Sequence, residues 1–196
     1  MTSRKLTLAD IDDVRAYERE RAERRAEVAS IKQLRRVALG TIMAVTFENR
    51  LTMRHQIQEM ARVEKLVTDA AIQEELDIYN TMVPEAGQLC ATLFLELTTD
   101  EQLREWLPKL VGIERCIVFR LPGGAQVRSI TEEQHAAQLT REHVTAAVHY
   151  IRFQFTPGQV AEVTDGVRLC VDHPNYIEQA ELLPATIAEL HTDLDP

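Results

Sequence analysis

The sequence lacks the short motifs that define several large enzyme classes. It contains no G-x-x-x-x-G-K-[ST], no G-x-G-x-x-G, no H-E-x-x-H and no G-x-S-x-G. Serine is rare as well: Ser3, Ser30 and Ser129 occur, and none has the strand-to-helix setting of a catalytic nucleophile. These absences argue against a P-loop enzyme, a dinucleotide-binding oxidoreductase and a serine hydrolase.

Cysteine is scarce and unpaired in the sequence. Cys90, Cys116 and Cys170 are widely separated, and each lies in an apolar run that is typical of a strand. Because there is no C-x-x-C, the sequence lacks the paired cysteine ligands that iron–sulfur and zinc-ribbon sites usually need. We therefore interpret the three residues as structural thiols of a protein in a reducing compartment.

Long hydrophobic runs are missing too. No apolar stretch approaches the length that spans a bilayer, and the first residues lack the apolar core of a signal peptide. We expect a cytoplasmic protein without a membrane association. With 196 residues, 45% of them apolar and 27% charged, the chain has the composition of an ordinary globular domain.

The charge is negative overall but unevenly distributed. A net charge of −9 argues against nucleic-acid binding, which needs a basic surface. Residues 1–36 nevertheless hold ten Lys or Arg against seven Asp or Glu, whereas residues 37–196 hold twelve against twenty-four. We predict a charged N-terminal helix or arm in the first range and a single α+β domain in the second. The almost fully charged stretch 18–27 is either a solvated helix face with salt bridges or a docking surface for an acidic partner.

The pattern along the chain predicts strands and helices that are segregated rather than strictly alternating. Strand-like runs occupy 37–49, 91–97, 113–121, 125–130, 146–155 and 167–172, and helical signals occupy 51–67, 70–80, 99–110 and stretches that begin at Thr131, Thr156 and Pro184. Pro122-Gly123-Gly124 predicts a hairpin between two of the strands. The fold class expected is α+β: a mixed, largely antiparallel sheet with helices packed on one face and a charged N-terminal helix.

Polar side chains accumulate where the first strand meets the following helices. FENRLTMRHQIQEMARVEK (47–65) is followed by IQEELDIYN (72–80), and a third dense stretch, VDHPNY (171–176), lies near the C-terminus. We predict that these segments form one polar site. Its candidate catalytic residues are Arg50, Glu59, Glu74, His149, Asp172 and His173.

Two features of this site are specific enough to test. Arg50 is predicted to form a partly buried ion pair with a carboxylate of the helix Asp69–Asn80, Glu74 being the favoured partner. His55 and Glu59 stand four residues apart and share a helix face, which suits either a metal site or an exposed hydrogen-bonded pair. We leave both alternatives open for that pair.

A metal ion is possible, but no ligand spacing defines its site. The candidate metal ligands are Glu59, Glu74, His149 and His173. Glu132-x-x-His135 is a single copy of a motif that di-iron helical bundles need twice. We interpret its residues as exposed side chains that do not bind a metal. No cofactor is evident.

The order of the motifs resembles that of a known protein family. FENR-x-T, QIQEM, IQEELD-x-YN, ATL, VGIE, AVHYIRF and VDHP-x-Y follow one another as they do in the bacterial family called domain of unknown function 3501. The resemblance spans nearly the whole chain. The positions of this sequence that match the family pattern are Phe47, Glu48, Asn49, Arg50, Gln56, Gln58, Glu59, Glu64, Gln73, Glu74, Leu76, Tyr79, Asn80, His149, Arg152, Asp172, His173 and Pro174.

The resemblance implies a redox context but no reaction. Relatives are expected to be encoded beside rubrerythrin-like and iron–sulfur oxidoreductase proteins. The first hypothesis is therefore a non-enzymatic accessory or partner protein of such a redox or oxidative-stress system. The alternative is a small metal-binding protein or enzyme that uses a carboxylate and histidine site. If the second hypothesis holds, at least three of the candidate side chains must converge.

Overall fold

The computed structural model of the protein describes residues 4–131 and 144–194. Its strands in these ranges are β1 (Arg36–Leu39), β2 (Met43–Glu48), β3 (Gln88–Leu95), β4 (Ile117–Arg120), β5 (Gln126–Arg128), β6 (Ile130–Thr131), β7 (Val148–Gln154), β8 (Arg168–His173) and β9 (Tyr176–Glu181). Its α-helices in the same ranges are α1 (Val14–Leu34), α2 (Arg50–Glu64), α3 (Asp69–Tyr79), α4 (Asp100–Lys109), α5 (Pro157–Val160) and α6 (Pro184–Leu194).

The described strands form two antiparallel sheets. The first has five strands in the order β1-β2-β3-β7-β6, and the second has four in the order β5-β4-β8-β9. This confirms the predicted α+β class and the antiparallel pairing. The sequence had suggested one sheet, whereas the apolar faces of two sheets pack on each other.

The main core lies between the two sheets. Phe119 of the second sheet contacts Phe47 and Phe153 of the first, with ring centroids 5.7 and 4.8 Å apart. Strand alternation explains this placement, because Phe47 and Phe153 point to the face opposite to Glu48 and Arg152. α6 contributes Ile187, Leu190 and Leu194 to the same cluster.

A second, smaller core joins the helices to the outer face of the five-stranded sheet. It contains Met53 and Ile57 of α2, Leu76 of α3 and Cys90 of β3. Helices therefore cover one face, as expected. Polar groups are enclosed at this face: Thr92 Oγ1 donates to the buried carboxylate of Glu48 at 2.8 Å.

The long strand predicted over 37–49 is divided into β1 and β2 by a turn at Gly40. Gly40 has φ +68°, and a Cβ there would collide with the Tyr176 hydroxyl group. That hydroxyl group donates to the Leu39 carbonyl oxygen at 2.8 Å. Glycine is needed here for both its backbone conformation and its lack of a side chain.

Local signals in the sequence placed several other elements correctly. The Pro122-Gly123-Gly124 segment connects β4 to β5, where Arg120 pairs with Gln126. Thr99 caps α4 together with Gln102, and α6 begins at Pro184. β9, which follows the turn after His173, was not predicted from the sequence. The helical stretch expected from Thr131 and the Glu132-x-x-His135 motif lie outside the described residues.

The charged N-terminal segment packs against the rest of the chain. Tyr17 and Val28 of α1 are buried, and α1 lies along α2. Arg35, immediately after α1, is fully buried. The division at residue 36 remains a prediction about which part folds independently, but the segment is not a detached arm.

The cysteines are free thiols in strands or next to them. Cys90 and Cys170 are buried, and Cys116 is half-buried before β4. Burial raises the pKa of both Cys116 and Cys170. None of the helices in the described ranges is long and apolar enough to cross a membrane.

Candidate functional site

The junction Glu48-Asn49-Arg50 is explained by the start of α2. The Asn49 side chain accepts a hydrogen bond from Thr52 N at 2.9 Å, and Thr52 Oγ1 accepts one from Asn49 N at 2.9 Å. This reciprocal cap lets the chain pass from β2 into the helix without a linker. α2 then presents its polar positions to α1.

Glu59 is the centre of a polar cluster between α1 and α2. Its carboxylate accepts from Tyr17 Oη at 2.6 Å and from Arg21 Nε and Nη2 at 2.7 and 3.0 Å. Arg62 Nη2 adds a fourth hydrogen bond at 3.2 Å. We call Tyr17, Arg21, His55, Glu59 and Arg62 the α1–α2 polar cluster. Two pairs with helical i,i+4 spacing, Tyr17 with Arg21 and His55 with Glu59, face each other across the helix interface.

Hydrogen bonding fixes the protonation of Glu59. The Arg21 guanidinium group is the main cause that lowers the pKa of Glu59 to about 2; burial opposes it, and Tyr17 and Arg62 reinforce it. With four donors on its two oxygens, Glu59 is an ionised structural acceptor at neutral pH. It is therefore poorly suited to take up a proton as a general base.

His55 extends the cluster through the hydroxyl group of Tyr17. His55 Nδ1 lies 3.2 Å from Tyr17 Oη. Because the hydroxyl proton is donated to Glu59, the hydrogen bond to His55 requires an Nδ1–H donor. Burial lowers the pKa of His55, so the ring is neutral at pH 7 and its Nε2 carries a lone pair. Burial also raises the pKa of Tyr17, with Glu59 reinforcing that shift.

A small cavity of about 160 Å³ lies beside this cluster. Tyr17 and His55 line it, together with Arg24, Arg54 and Gln58. Gln58 holds the chain before α1, accepting from Asp12 N at 3.0 Å and donating to Asp12 O at 2.8 Å. The cavity thus has a neutral imidazole in its wall. The two lining arginines, Arg24 and Arg54, both form ion pairs with Asp12.

The predicted Arg50–Glu74 ion pair is wrong. Arg50 Nη2 donates to Asp10 Oδ1 at 2.5 Å, and Arg50 Nε donates to the Arg4 carbonyl oxygen at 3.1 Å. The N-terminal segment lies over the start of α2 and supplies these partners, whereas Glu74 is exposed on α3. The Arg50 side chain is 47% exposed, so this junction is open to water.

His149 is buried in a separate place, on the inner face of β7. Its Nε2 lies 2.9 Å from the Ala146 carbonyl oxygen and 3.0 Å from Thr145 Oγ1, and its Nδ1 lies 4.0 Å from Glu114 Oε2. Burial lowers the pKa of His149, and the Glu114 carboxylate opposes this. Glu114 Oε2 has no hydrogen-bond partner in the described part of the chain.

Asp172 and His173 are adjacent in β8 but serve different contacts. Asp172 forms a two-point pair with Arg128 at 2.8 and 2.5 Å, which lowers its pKa. His173 Nε2 donates to the Val111 carbonyl oxygen at 3.1 Å, and its Nδ1 accepts from Asn175 N at 3.2 Å. The ring therefore holds the β8–β9 turn against the segment after α4.

The six candidate residues do not form one site. No hydrogen bond or ion pair between described residues joins any two of them. Within residues 4–131 and 144–194, no group of three or more His, Cys, Asp or Glu side chains is placed to hold a metal ion. Glu59 is brought together with His55, but Glu74, His149 and His173 lie elsewhere.

Sequence reasoning missed the partners that complete the Glu59 cluster. Arg21 lies in the charged stretch 18–27, which predicts a solvated helix face or a docking surface, and Tyr17 lies just before it. A usable signal existed, namely a Tyr and an Arg four apart in one helix and a His and a Glu four apart in the next. Pairing those two patterns requires knowing that α1 and α2 are neighbours.

The architecture defines a two-sheet α+β protein with a helical layer on one outer face. Comparison with family models matches residues 5–194 to the family described as "Protein of unknown function (DUF3501)". The chain belongs to this family. No curated protein matches the chain.

A solved relative shares the whole architecture. It is a crystal structure described as a novel protein of unknown function from Burkholderia pseudomallei. The TM-score is 0.87 and the sequence identity 35%, over 97% of this chain and 100% of that chain. The similarity covers both sheets and the helical layer. The description of the relative names no reaction.

Proposed function

We propose that the protein is a non-enzymatic accessory or partner protein of a cytoplasmic rubrerythrin-like or iron–sulfur oxidoreductase system. The redox context rests on the family resemblance. The observation that carries the non-enzymatic role is the separation of the candidate residues, each of which is used in a local contact or exposed singly. A site for chemistry needs several such groups aimed at one reacting atom.

The saturation of Glu59 supports the same proposal. A carboxylate with four donors and a pKa of about 2 holds two helices together and has no spare lone pair aimed at a ligand. In the Arg128–Asp172 pair, both carboxylate oxygens likewise accept hydrogen bonds from the guanidinium group. These contacts build a stable scaffold on which a docking surface can be presented.

The exposed side of α1 is the docking surface we propose. Arg19 and Arg25 are exposed there and form no ion pair with any described residue. They lie on the segment whose charge is opposite to that of residues 37–196. Glu18, Glu23 and Glu27 are exposed on the same helix, so the complement is a partner surface with acidic groups placed opposite Arg19 and Arg25. Such contacts mainly steer association.

The test is direct binding to the purified rubrerythrin-like and iron–sulfur oxidoreductase proteins of the same organism. We expect a complex in analytical ultracentrifugation that weakens as salt is raised. Arg19→Glu combined with Arg25→Glu should weaken it at least about tenfold. Arg104→Glu combined with Arg120→Glu is the matched control, since it changes the charge equally on exposed arginines of α4 and β4. If neither of the two proteins forms a complex with this protein, the proposal is wrong.

A second candidate function rests on His55. Its neutral ring borders the 160 Å³ cavity and is linked through Tyr17 to Glu59, an arrangement that could orient an imidazole for proton transfer or for a metal ion. Metal analysis of protein purified without an affinity tag tests the metal-binding version. Stoichiometric metal that is lost in His55→Ala, but retained in His173→Ala, would favour this candidate over the accessory role.

A further inference from the structure

The outer face of the four-stranded sheet carries two arginines side by side. Arg120 of β4 is directly opposite Arg168 of β8, and we call them the central arginine pair. Their neighbours in both strands are buried in the main core, so alternation turns both arginines to the outer face. Gln126 of β5 flanks Arg120, and Glu181 of β9 flanks Arg168. All four side chains are exposed, so this face is open to water.

The charges of the central arginine pair are poorly balanced by the protein itself. Arg120 forms no ion pair with any residue that the structure describes. Arg168 Nε lies 3.7 Å from Glu181 Oε2, which is longer than a hydrogen bond, and both of these side chains are half-exposed. Like charges directly opposite each other on neighbouring strands destabilise a sheet. The fold therefore retains an arrangement that an anion between the two guanidinium groups would stabilise.

The two guanidinium groups lie over the same part of the sheet. Cys170 follows two residues after Arg168 on the same face of β8, and it is directly opposite Val118 of β4. Burial raises the pKa of the Cys170 thiol, and the charges of Arg120 and Arg168 both oppose that rise. Both guanidinium groups are therefore close to this one side chain, which agrees with the pairing of their strands.

Arginines outnumber carboxylates on the outer face of these four strands. The strands present three arginines there, Arg128 being the third, against Asp172 and Glu181. Arg128 donates to both oxygens of Asp172, at 2.8 and 2.5 Å, so this carboxylate is occupied. Glu162 and Asp165, in the loop before β8, form no ion pair with either arginine of the central pair. Glu181 alone therefore faces two positive charges on this part of the face.

We propose that the central arginine pair binds a phosphate dianion, either inorganic phosphate or the phosphate group of a small monoester. Neighbouring strands are about 4.8 Å apart, so the two guanidinium groups are able to donate to different oxygens of one phosphate. Arginine suits this group because its planar fork matches two phosphate oxygens. The inference is independent of the partner-protein role, which uses Arg19 and Arg25 of α1; Arg120 enters the test of that role only within a control.

The test is titration with inorganic phosphate, phenyl phosphate and acetate at constant ionic strength, followed by nitrogen-15 NMR of the arginine Nε–H groups. At about pH 7.5 a phosphate monoester is mostly a dianion. Both phosphates should shift the Arg120 and Arg168 signals saturably, and acetate should bind at least about tenfold more weakly. Both assign the site to phosphate: tighter binding of phenyl phosphate points to a monoester, and equal or weaker binding points to inorganic phosphate. Similar shifts at all exposed arginines would mean an adventitious ion only and would overturn the proposal.

Variants locate the site. Arg120→Gln combined with Arg168→Gln should abolish saturable phosphate binding, and phosphate should raise the melting temperature of the wild type but not of this variant. Arg19→Gln combined with Arg104→Gln is the matched control: it removes the same charge from exposed arginines of α1 and α4 that form no ion pair with described residues. The control should bind phosphate like the wild type. All four positions are exposed, and circular dichroism checks that each variant folds. No saturable binding by the wild type, or binding unchanged in Arg120→Gln with Arg168→Gln, would refute the proposal.

Discussion

Two carboxylates in this protein accept hydrogen bonds from arginine, yet their pKa values shift in opposite directions. Glu59, between α1 and α2, has a pKa lowered to about 2, with Arg21 as the main cause. Asp193, in α6, is paired with Arg35, but burial raises its pKa and Arg35 only opposes that rise. The first pair keeps contact with water, whereas the guanidinium group of the second is fully buried.

The comparison separates two uses of an ion pair. At the helix interface, water and four donors stabilise the charge on Glu59, so the cluster favours the folded state at neutral pH. The Arg35–Asp193 ion pair lies in the interior, where removing charged groups from water costs free energy. We infer that this pair mainly specifies which segments pack together. Arg35 Nε donates to the Phe47 carbonyl oxygen at 2.9 Å, and Nη1 reaches Glu189 Oε2 at 3.4 Å. One side chain thus ties the end of α1 to β2 and to α6.

The largest effect is expected from Arg35→Ala. The change leaves Asp193 buried without its guanidinium partner and leaves the Phe47 carbonyl oxygen without this donor. Such a loss costs on the order of 3–5 kcal/mol of unfolding free energy. Urea denaturation at pH 7 measures it. Arg36→Ala is the control, since Arg36 is exposed and its ion pair with Glu96 lies at the surface.

The pH dependence of Arg35→Ala sharpens the contrast. Burial already places the folded pKa of Asp193 above its usual value, and removing Arg35 should raise it further. A raised folded pKa gives stability that is present at low pH and lost as pH rises through that pKa. The cost of the substitution should therefore be larger at pH 7 than at pH 4. A cost that does not change between these values would show that the folded pKa of Asp193 does not depend on Arg35.

The next effect in size is that of Glu59→Gln, which should lower the unfolding free energy by about 2–3 kcal/mol at pH 7. The folded pKa of Glu59 is about 2, below its ordinary value of 4.5. Its stabilisation is therefore complete above pH 5 and is lost as pH falls through the interval between those two values. Wild type and variant should converge near pH 2 in urea denaturation. Glu64→Gln, at the exposed end of the same helix, should show no such difference.

Tyr17→Phe should have a smaller effect, about 1 kcal/mol, because it removes one hydroxyl group and keeps the buried ring. Tyr17 helps to lower the pKa of Glu59, so that pKa should rise in the variant. Carbon-13 NMR titration of the Glu59 carboxyl carbon measures the change directly. An unchanged titration would mean that the arginines alone hold the charge.

The smallest effect is expected from Arg50→Ala. Its ion pair with Asp10 is half-exposed, and exposed pairs contribute under about 1 kcal/mol. Thermal unfolding should therefore shift little, and Arg50→Lys should behave like wild type. A loss as large as that of Arg35→Ala would instead mean that the N-terminal segment depends on this contact.

The sequence predicted the class of fold and most of its elements, because these depend on local patterns. Alternation placed Phe47 opposite to Glu48, and the Thr99–Gln102 cap marked the start of α4. It could not predict that two sheets face each other, since strand alternation shows which side is apolar but not what covers it.

The candidate site was predicted less well for the same reason. Glu59 and His55 are four residues apart in one helix and were recognised as a pair, whereas Tyr17 and Arg21 reach them from a helix about forty residues earlier. Arg50 was given the wrong partner because the short turn Leu8–Asp10 carries Asp10 to it. Contacts between distant segments depend on packing, which local sequence patterns do not record.

The contact between Tyr176 and the Gly40 turn has a consequence for self-association. β1 and β9 are terminal strands of their sheets, and a terminal strand offers unpaired backbone groups to any passing chain. By donating to the Leu39 carbonyl oxygen, the Tyr176 hydroxyl group holds the start of β9 against the end of β1. The two rims of the sandwich are in contact along β1 and β9, so each shields the other. Edge-to-edge pairing with another chain is thereby hindered at β1 and β9.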